Sequence, residues 1–109
     1  MPSFCRNDVI LVAYPFSDRT GIKVRPSVVA SGEHRSKDGF VVPLTSKADW
    51  LLDGEFGLAD WQGAGLNVAS VVKPGLYTIH ESLVIKMVGR LVSDDASRVD
   101  AALRRWLNL

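Results

Sequence analysis

The sequence predicts a mainly β domain, a small and strongly bent sheet or barrel capped by one C-terminal helix. Three observations carry that expectation. Short apolar runs rich in Val and Ile recur along the chain, among them Val9-Ile10-Leu11-Val12, Val28-Val29 and Phe40-Val41-Val42. Turn sequences bearing Gly, Pro, Asp or Ser separate the runs about every eight to twelve residues. Only the segment after Ser93 sets its apolar residues at helical spacing.

Each element has its own warrant. Asp8 to Phe16 reads as a first strand, apolar enough to be buried on both faces. Ser17 to Gly21 supplies Asp and Gly for a turn. Val24 to Ser31 is the second strand. Its Pro26 cannot donate to a ladder, so it belongs at the strand's beginning or at an edge. Gly32 to Gly39 is a charged loop, and Phe40 to Leu44 a third strand. Ser46 to Gly57 is a polar connection holding Trp50. Phe56 to Trp61 is a candidate short strand, followed by a glycine-rich turn over Gln62 to Leu66. Val68 to Lys73 reads as a strand stopped by Pro74-Gly75, Leu76 to Ile79 as a short alternating segment, and Leu83 to Leu91 as a further strand. In the helix, Ser93 is the expected N-cap and Asp94 and Asp95 favour the first turn. Val99, Ala102, Leu103, Trp106 and Leu107 fall on one face for core packing, and Arg104 and Arg105 suit the C-terminal end.

Composition narrows the function classes. At 109 residues the chain is one domain, residues 1–109, with 47% hydrophobic residues, which argues against disorder. Against 13 Lys+Arg stand 12 Asp+Glu, so net charge alone does not announce a nucleic-acid binder. Distribution says more: Arg19 to Lys47 is predominantly basic, whereas Asp49 to Asp60 carries acids and no base. A local positive face on a nearly neutral protein is the expectation. The single cysteine, Cys5, excludes an intrachain disulfide and fits a reducing cytoplasm. No apolar run is long enough to span a membrane, and Arg6, Asn7 and Asp8 interrupt any leader-like stretch. Two histidines far apart and one cysteine do not make a structural zinc site.

The chemistry-bearing residues are Arg25, at the start of the second strand, and Thr45, at the end of the third. A guanidinium is permanently charged, and its planar fork suits phosphate oxygens. In a small barrel these two groups can meet, and together they can bind and cleave a phosphodiester without a metal. Taken singly, Arg25 is a surface arginine beside a strand and Thr45 a strand-end hydroxyl bonding its own backbone.

Four blocks in register resemble the MazF/PemK toxin family. Asp8-Val9-Ile10-Leu11-Val12, Tyr14-Pro15-Phe16-Ser17-Asp18 and Val24-Arg25-Pro26-Ser27-Val28-Val29 resemble its opening. Val42-Pro43-Leu44-Thr45-Ser46 resembles its next block. Ala64-Gly65-Leu66 with Ser70-Val71-Val72-Lys73, and then Gly89-Arg90-Leu91, resemble the third and the closing ones. The resemblance implies an SH3-like barrel of the MazF/PemK/CcdB type that forms a two-fold dimer. It implies a toxin of a type II toxin–antitoxin pair, a metal-independent endoribonuclease (an mRNA interferase) that cuts single-stranded mRNA at short sequences and inhibits translation and growth. The products are a 2′,3′-cyclic phosphate and a 5′-hydroxyl. A cognate antitoxin inhibits by threading an acidic, otherwise disordered segment through the RNA groove, and no cofactor is implied.

By the same resemblance Arg25 matches the family's essential arginine and would stabilise the phosphorane. Thr45 matches its catalytic-site threonine and would hold the phosphorus in line. Ser46 is a second hydroxyl donor. Ser17, Arg19, Lys23, Lys47 and Lys73 would contact the RNA backbone, and Trp50 is the best base-stacking candidate, ahead of Phe56 and Trp61. The chain departs from the family where Gly75 follows Lys73-Pro74, since some members carry an acid there, and the first loop lacks a histidine that some members have. His34 is a loop candidate for acid–base work, and His80-Glu81 reads as a structural turn. Two alternatives come from other classes: a toxin of the same barrel type that poisons a DNA topoisomerase, and a degenerate, dimerising binding module. Phe56, Trp61 and the segment from Leu83 to Leu91 offer apolar surface for self-association.

Overall fold

A computed structural model describes residues 4–15, 22–32, 37–46, 51 and 54–109. In order, the elements are β1 (Asp8–Pro15), β2 (Ile22–Val29), β3 (Asp38–Thr45), β4 (Phe56–Gly57), β5 (Val71–Val72), β6 (Tyr77–His80), a 3-10 turn (Glu81–Leu83), β7 (Val84–Arg90) and α1 (Ser93–Trp106). The described strands run in the order β4-β5-β3-β2-β1-β7, with β6 paired to the first half of β3. All pairings are antiparallel, and the described path is open at β4 and β7. The β1–β7 register shifts twice, between Val9 and Ile10 and between Leu11 and Val12, and such irregularities bend a sheet sharply.

That bend lets both faces of the central strands be covered. On one face, Val9, Val28, Val42, Leu44 and Val72 pack against Val99 and Leu103 of α1. On the other, Ile10, Val12, Tyr14, Val29, Val41 and Ile79 make a second cluster. Cross-strand partners explain the division, because opposed residues share a face: Val9↔Val28 and Val28↔Val42 lie on the helix side, Val29↔Val41 on the other. The near-continuous apolar runs of β1 and β3 follow from this double burial.

Several boundaries differ from the sequence expectation. The segment read as a strand over Phe56 to Trp61 pairs only at Phe56–Gly57, because the chain then enters turns running from Ala59 to Gly65. The strand expected over Val68 to Lys73 is reduced to Val71–Val72. The N-cap of α1 is Val92, with no side-chain cap bond, and Ser93 is already helical. The first-turn acid does a different job from the one expected. Asp95 is wholly buried and accepts the N–H groups of Ala59 and Asp60 at 2.9 Å each, and Arg98 donates to it at 3.1 Å. It therefore ties the turn at residues 59–60 to the helix start. Pro26 pairs with Leu11 on β1 but lies outside the β2–β3 ladder, which begins at Ser27, so its missing N–H is not needed there.

The turn after β4 packs tightly on β7. Gly65 has φ +91°, and a Cβ on Gly89 would run into the carbonyl of Ala64. Phe56 and Trp61 pack on the helix-side cluster, and Arg98 lies 4.6 Å over the Phe56 ring. They are thus largely spent on the core. The exposed apolar residues of the expected association surface are instead Ile85 and Met87 on β7. Among the described residues no helix is long and apolar enough to cross a membrane.

Candidate functional site

The face of β2 away from the helix carries Arg25, Ser27 and Val29. Arg25 stands opposite Val12, and Ser27 opposite Ile10, both members of the second cluster. On β3 the same face carries Val41, Pro43 and Thr45, since Ser27 opposes Pro43 and Val29 opposes Val41. The ladder ends at Ser27↔Pro43, and Arg25 and Thr45 each lie two residues beyond that pair, on the alternation Ser27 and Pro43 share. The two side chains singled out in the sequence thus come from neighbouring strands onto one sheet face. Beyond the β2 ladder the end of β3 is held from another side, by Thr45↔Val71 and by the Lys73 N–H donating to the Pro43 carbonyl at 3.1 Å.

Arg25 is half-buried, and its Nε is sealed from solvent with no hydrogen-bond partner among the described residues. An unsatisfied buried donor carries a cost of about 1–3 kcal/mol. A group already stripped of water is also a strong donor to an incoming anion, because that anion need not displace hydration from it. Thr45 is buried, and Ser46 beside it is exposed.

Three hydroxyl-bearing residues that sequence reasoning had not singled out share this face. Tyr14, opposite Lys23 and on the Val12 face of β1, shares a buried hydrogen bond between its hydroxyl and Ser27 Oγ. Its ring meets Tyr77 edge-on, with centroids 5.8 Å apart and planes at 70°. Burial pushes the Tyr14 phenol above its usual value. Tyr77 adds to the rise, while the Ser27 hydrogen bond and the Arg25 charge oppose it. The phenol is therefore neutral at physiological pH. The signal that finds Tyr14 and Ser27 from sequence is strand parity: each lies two residues from a face-mate, Val12 and Arg25, along its own strand. Tyr77 needed the β3–β6 register, which no local pattern fixes.

The remaining sequence candidates separate. Lys73 is not a bare cation, since its Nζ pairs with Glu55 Oε2 at 2.6 Å, and the Glu55 side chain is only 6% exposed. Lys23 and Ser46 are exposed at the two strand ends beside the Arg25–Thr45 positions. Ser17, Arg19, Lys47, Trp50 and His34 lie outside the described residues. His80 serves the backbone, its Nδ1 accepting the Ser82 N–H at 3.1 Å to open the 3-10 turn. Gly75 abuts the site: a Cβ there would come within 3.3 Å of Tyr77 Cε2 and 3.8 Å of Pro43 Cδ. Among the described residues no group of three or more His, Cys, Asp or Glu side chains is placed to share a metal ion.

A half-buried guanidinium, a strand-end hydroxyl and an aromatic pair thus share one face of a bent sheet. The chain belongs to the family of PemK-like, MazF-like toxins of type II toxin–antitoxin systems, whose model it matches over residues 5–107. Its fold is shared with solved structures. An endoribonuclease from a mycobacterial species, in complex with its cognate antitoxin, superposes with a TM-score of 0.75 at 16% identity, over 100% of this chain and 97% of that one. A mycobacterial endoribonuclease gives 0.75 at 15% identity, over 100% and 95%. The Mycobacterium tuberculosis toxin MazF-mt6 gives 0.69 at 20% identity, over 92% and 97%. No curated protein sequence matches the chain.

Proposed function

We propose that this chain is a sequence-selective endoribonuclease toxin that cuts single-stranded mRNA without a metal, inhibits translation, and acts in the cytoplasm. The observation that carries the reading is the shared sheet face of Arg25 and Thr45, with Arg25 Nε already desolvated. Family membership and the endoribonuclease neighbours of the same fold support it.

In the proposed reaction the ribose 2′-oxygen attacks the adjacent phosphorus and loses its proton to solvent. The phosphorus–5′-oxygen bond breaks, and the leaving oxygen takes up a proton. The products are a 2′,3′-cyclic phosphate and a 5′-hydroxyl. Arg25 stabilises the charge that gathers on the phosphorane oxygens. Thr45 donates to a non-bridging oxygen and holds the phosphorus in line. Lys23 and Ser46 contact neighbouring backbone groups, with Ser17, Arg19, Lys47 and Trp50 extending the contact surface. Lys73, tied to Glu55, orders the end of β3 more than it attracts phosphate. The chain works as a two-fold dimer, and an antitoxin neutralises it with an acidic, otherwise disordered segment.

The deciding experiment incubates the purified protein with a mixed-sequence RNA in EDTA. Fragments with 5′-hydroxyl ends, absent with Arg25→Ala and Thr45→Ala, are the expected result. Intact RNA together with arrested DNA supercoiling would replace this reading with that of a topoisomerase poison.

A further inference from the structure

We propose that Tyr77 is the nucleobase-stacking platform of this site, an inference that rests on the ribonuclease reading above. Tyr77 opposes Val41 in the β3–β6 register, which puts it on the sheet face of Pro43, Thr45 and Arg25. It is 45% exposed, on a strand that also contributes buried Ile79. Openness here does not mean mobility. The ring is braced edge-on by Tyr14, itself pinned through Ser27, and is flanked by Gly75 closely enough that a Cβ there would touch it. A half-exposed ring on the same sheet face as a guanidinium meets the two needs of single-strand binding, a π-face for the base and a cation for its phosphate. Gly75, at a position where some family members carry an acid, leaves the space beside the ring open.

A ring held in advance loses little freedom on binding, so its effect should fall on substrate saturation rather than on the chemical step. The test begins by mapping the wild-type cut site on a long RNA. An oligoribonucleotide of that site is then made, with a series in which each base in turn is replaced by an abasic ribose. Single-turnover cleavage is measured for wild type, Tyr77→Phe and Tyr77→Leu. Tyr77→Leu should raise the half-saturating concentration about tenfold and leave the maximal rate within about twofold, while Tyr77→Phe behaves as wild type. One abasic position should weaken the wild type comparably and cost nothing further in Tyr77→Leu, the non-additivity expected of direct contact. On the wild-type protein, 4-thiouridine at that position should crosslink to Tyr77, which needs no variant to fold.

Unchanged saturation in Tyr77→Leu, equal abasic penalties in both proteins, or crosslinking only elsewhere would overturn the stacking role while wild-type cleavage left the ribonuclease reading standing. RNA uncut by the wild type removes both.

Discussion

Replacing Arg25 separates the two things the residue does. Its Nε is buried without a partner among the described residues, so the native fold carries an unsatisfied donor there. Arg25→Met keeps the alkyl stem and removes that donor. The relief offsets at most the cost of one such group, about 1–3 kcal/mol, less whatever the outer guanidinium nitrogens gain from solvent. The net expectation is stability equal to wild type or up to about 1 kcal/mol higher, which for a domain of this size raises Tm by about 4–8 °C. Activity should move the opposite way. Losing one preorganised donor to a developing oxyanion typically costs about 10²–10³ in rate, and Arg25 offers more than one. Arg25→Lys keeps the charge but loses the fork, so it should fall by about 100-fold or more and lie within about tenfold of Arg25→Met. The assays are thermal melting by circular dichroism and single-turnover cleavage of one RNA by all three proteins. Near-wild-type cleavage by Arg25→Lys, or an Arg25→Met protein melting well below wild type, would refute this account of the residue.

Other substitutions probe the scaffold. Asp95→Ala strips the acceptor from two backbone N–H groups and should cost about 2–3 kcal/mol, read by urea unfolding. Gly89→Ala would press a methyl into the Ala64 carbonyl, and a loss of about 1–3 kcal/mol in the same assay is expected. Burial raises the Tyr14 phenol above its ordinary value of 10.0, so folding favours the protonated form. That stability is fully present below pH 10.0 and is lost as pH rises from there through the folded value; alkaline melting should therefore fall less steeply in Tyr14→Phe. Ile85→Lys with Met87→Lys should shift a dimer toward monomer in sedimentation velocity, if the exposed side of β7 is the association surface.

Much of the fold was legible where local pattern and tertiary environment agree. β1, β2 and β3 were anticipated because their Val- and Ile-rich runs are buried on both faces, and α1 because its stripe of Val99, Ala102 and Leu103 meets the core. Misreadings fall where a specific hydrogen bond takes over the expected pattern. Val68 to Ser70 lies outside the assigned strands: Ser70 accepts the Leu58 N–H at 2.9 Å next to the β4–β5 pair, while its Oγ donates locally to the Val68 carbonyl at 3.0 Å. Ser93 has the chemistry of a cap, but the acid at Asp95 is committed to the turn at 59–60 and the helix begins without a side-chain cap. In the site, Arg25 and Thr45 could be chosen because each sits at a strand end. Tyr14 and Ser27 follow from strand parity, but Tyr77 does not, because it depends on β6, which is reached only through β3.

The near-neutral charge of the chain bears on the kind of RNA it would select. A net charge of +1 supplies little general field, and one candidate cation, Lys73, is already balanced by Glu55. On the proposed reading, affinity then rests on a few built contacts: a desolvated fork, a hydroxyl and a braced ring. A fork and a hydroxyl see only phosphate and ribose, which every nucleic acid presents. The ring discriminates, since a base can lie on Tyr77 only after leaving its own stack. In a duplex that step costs pairing and stacking together, whereas in a single strand it costs little. Selectivity for unpaired RNA would thus follow from the weakness of the field and the rigidity of one aromatic side chain.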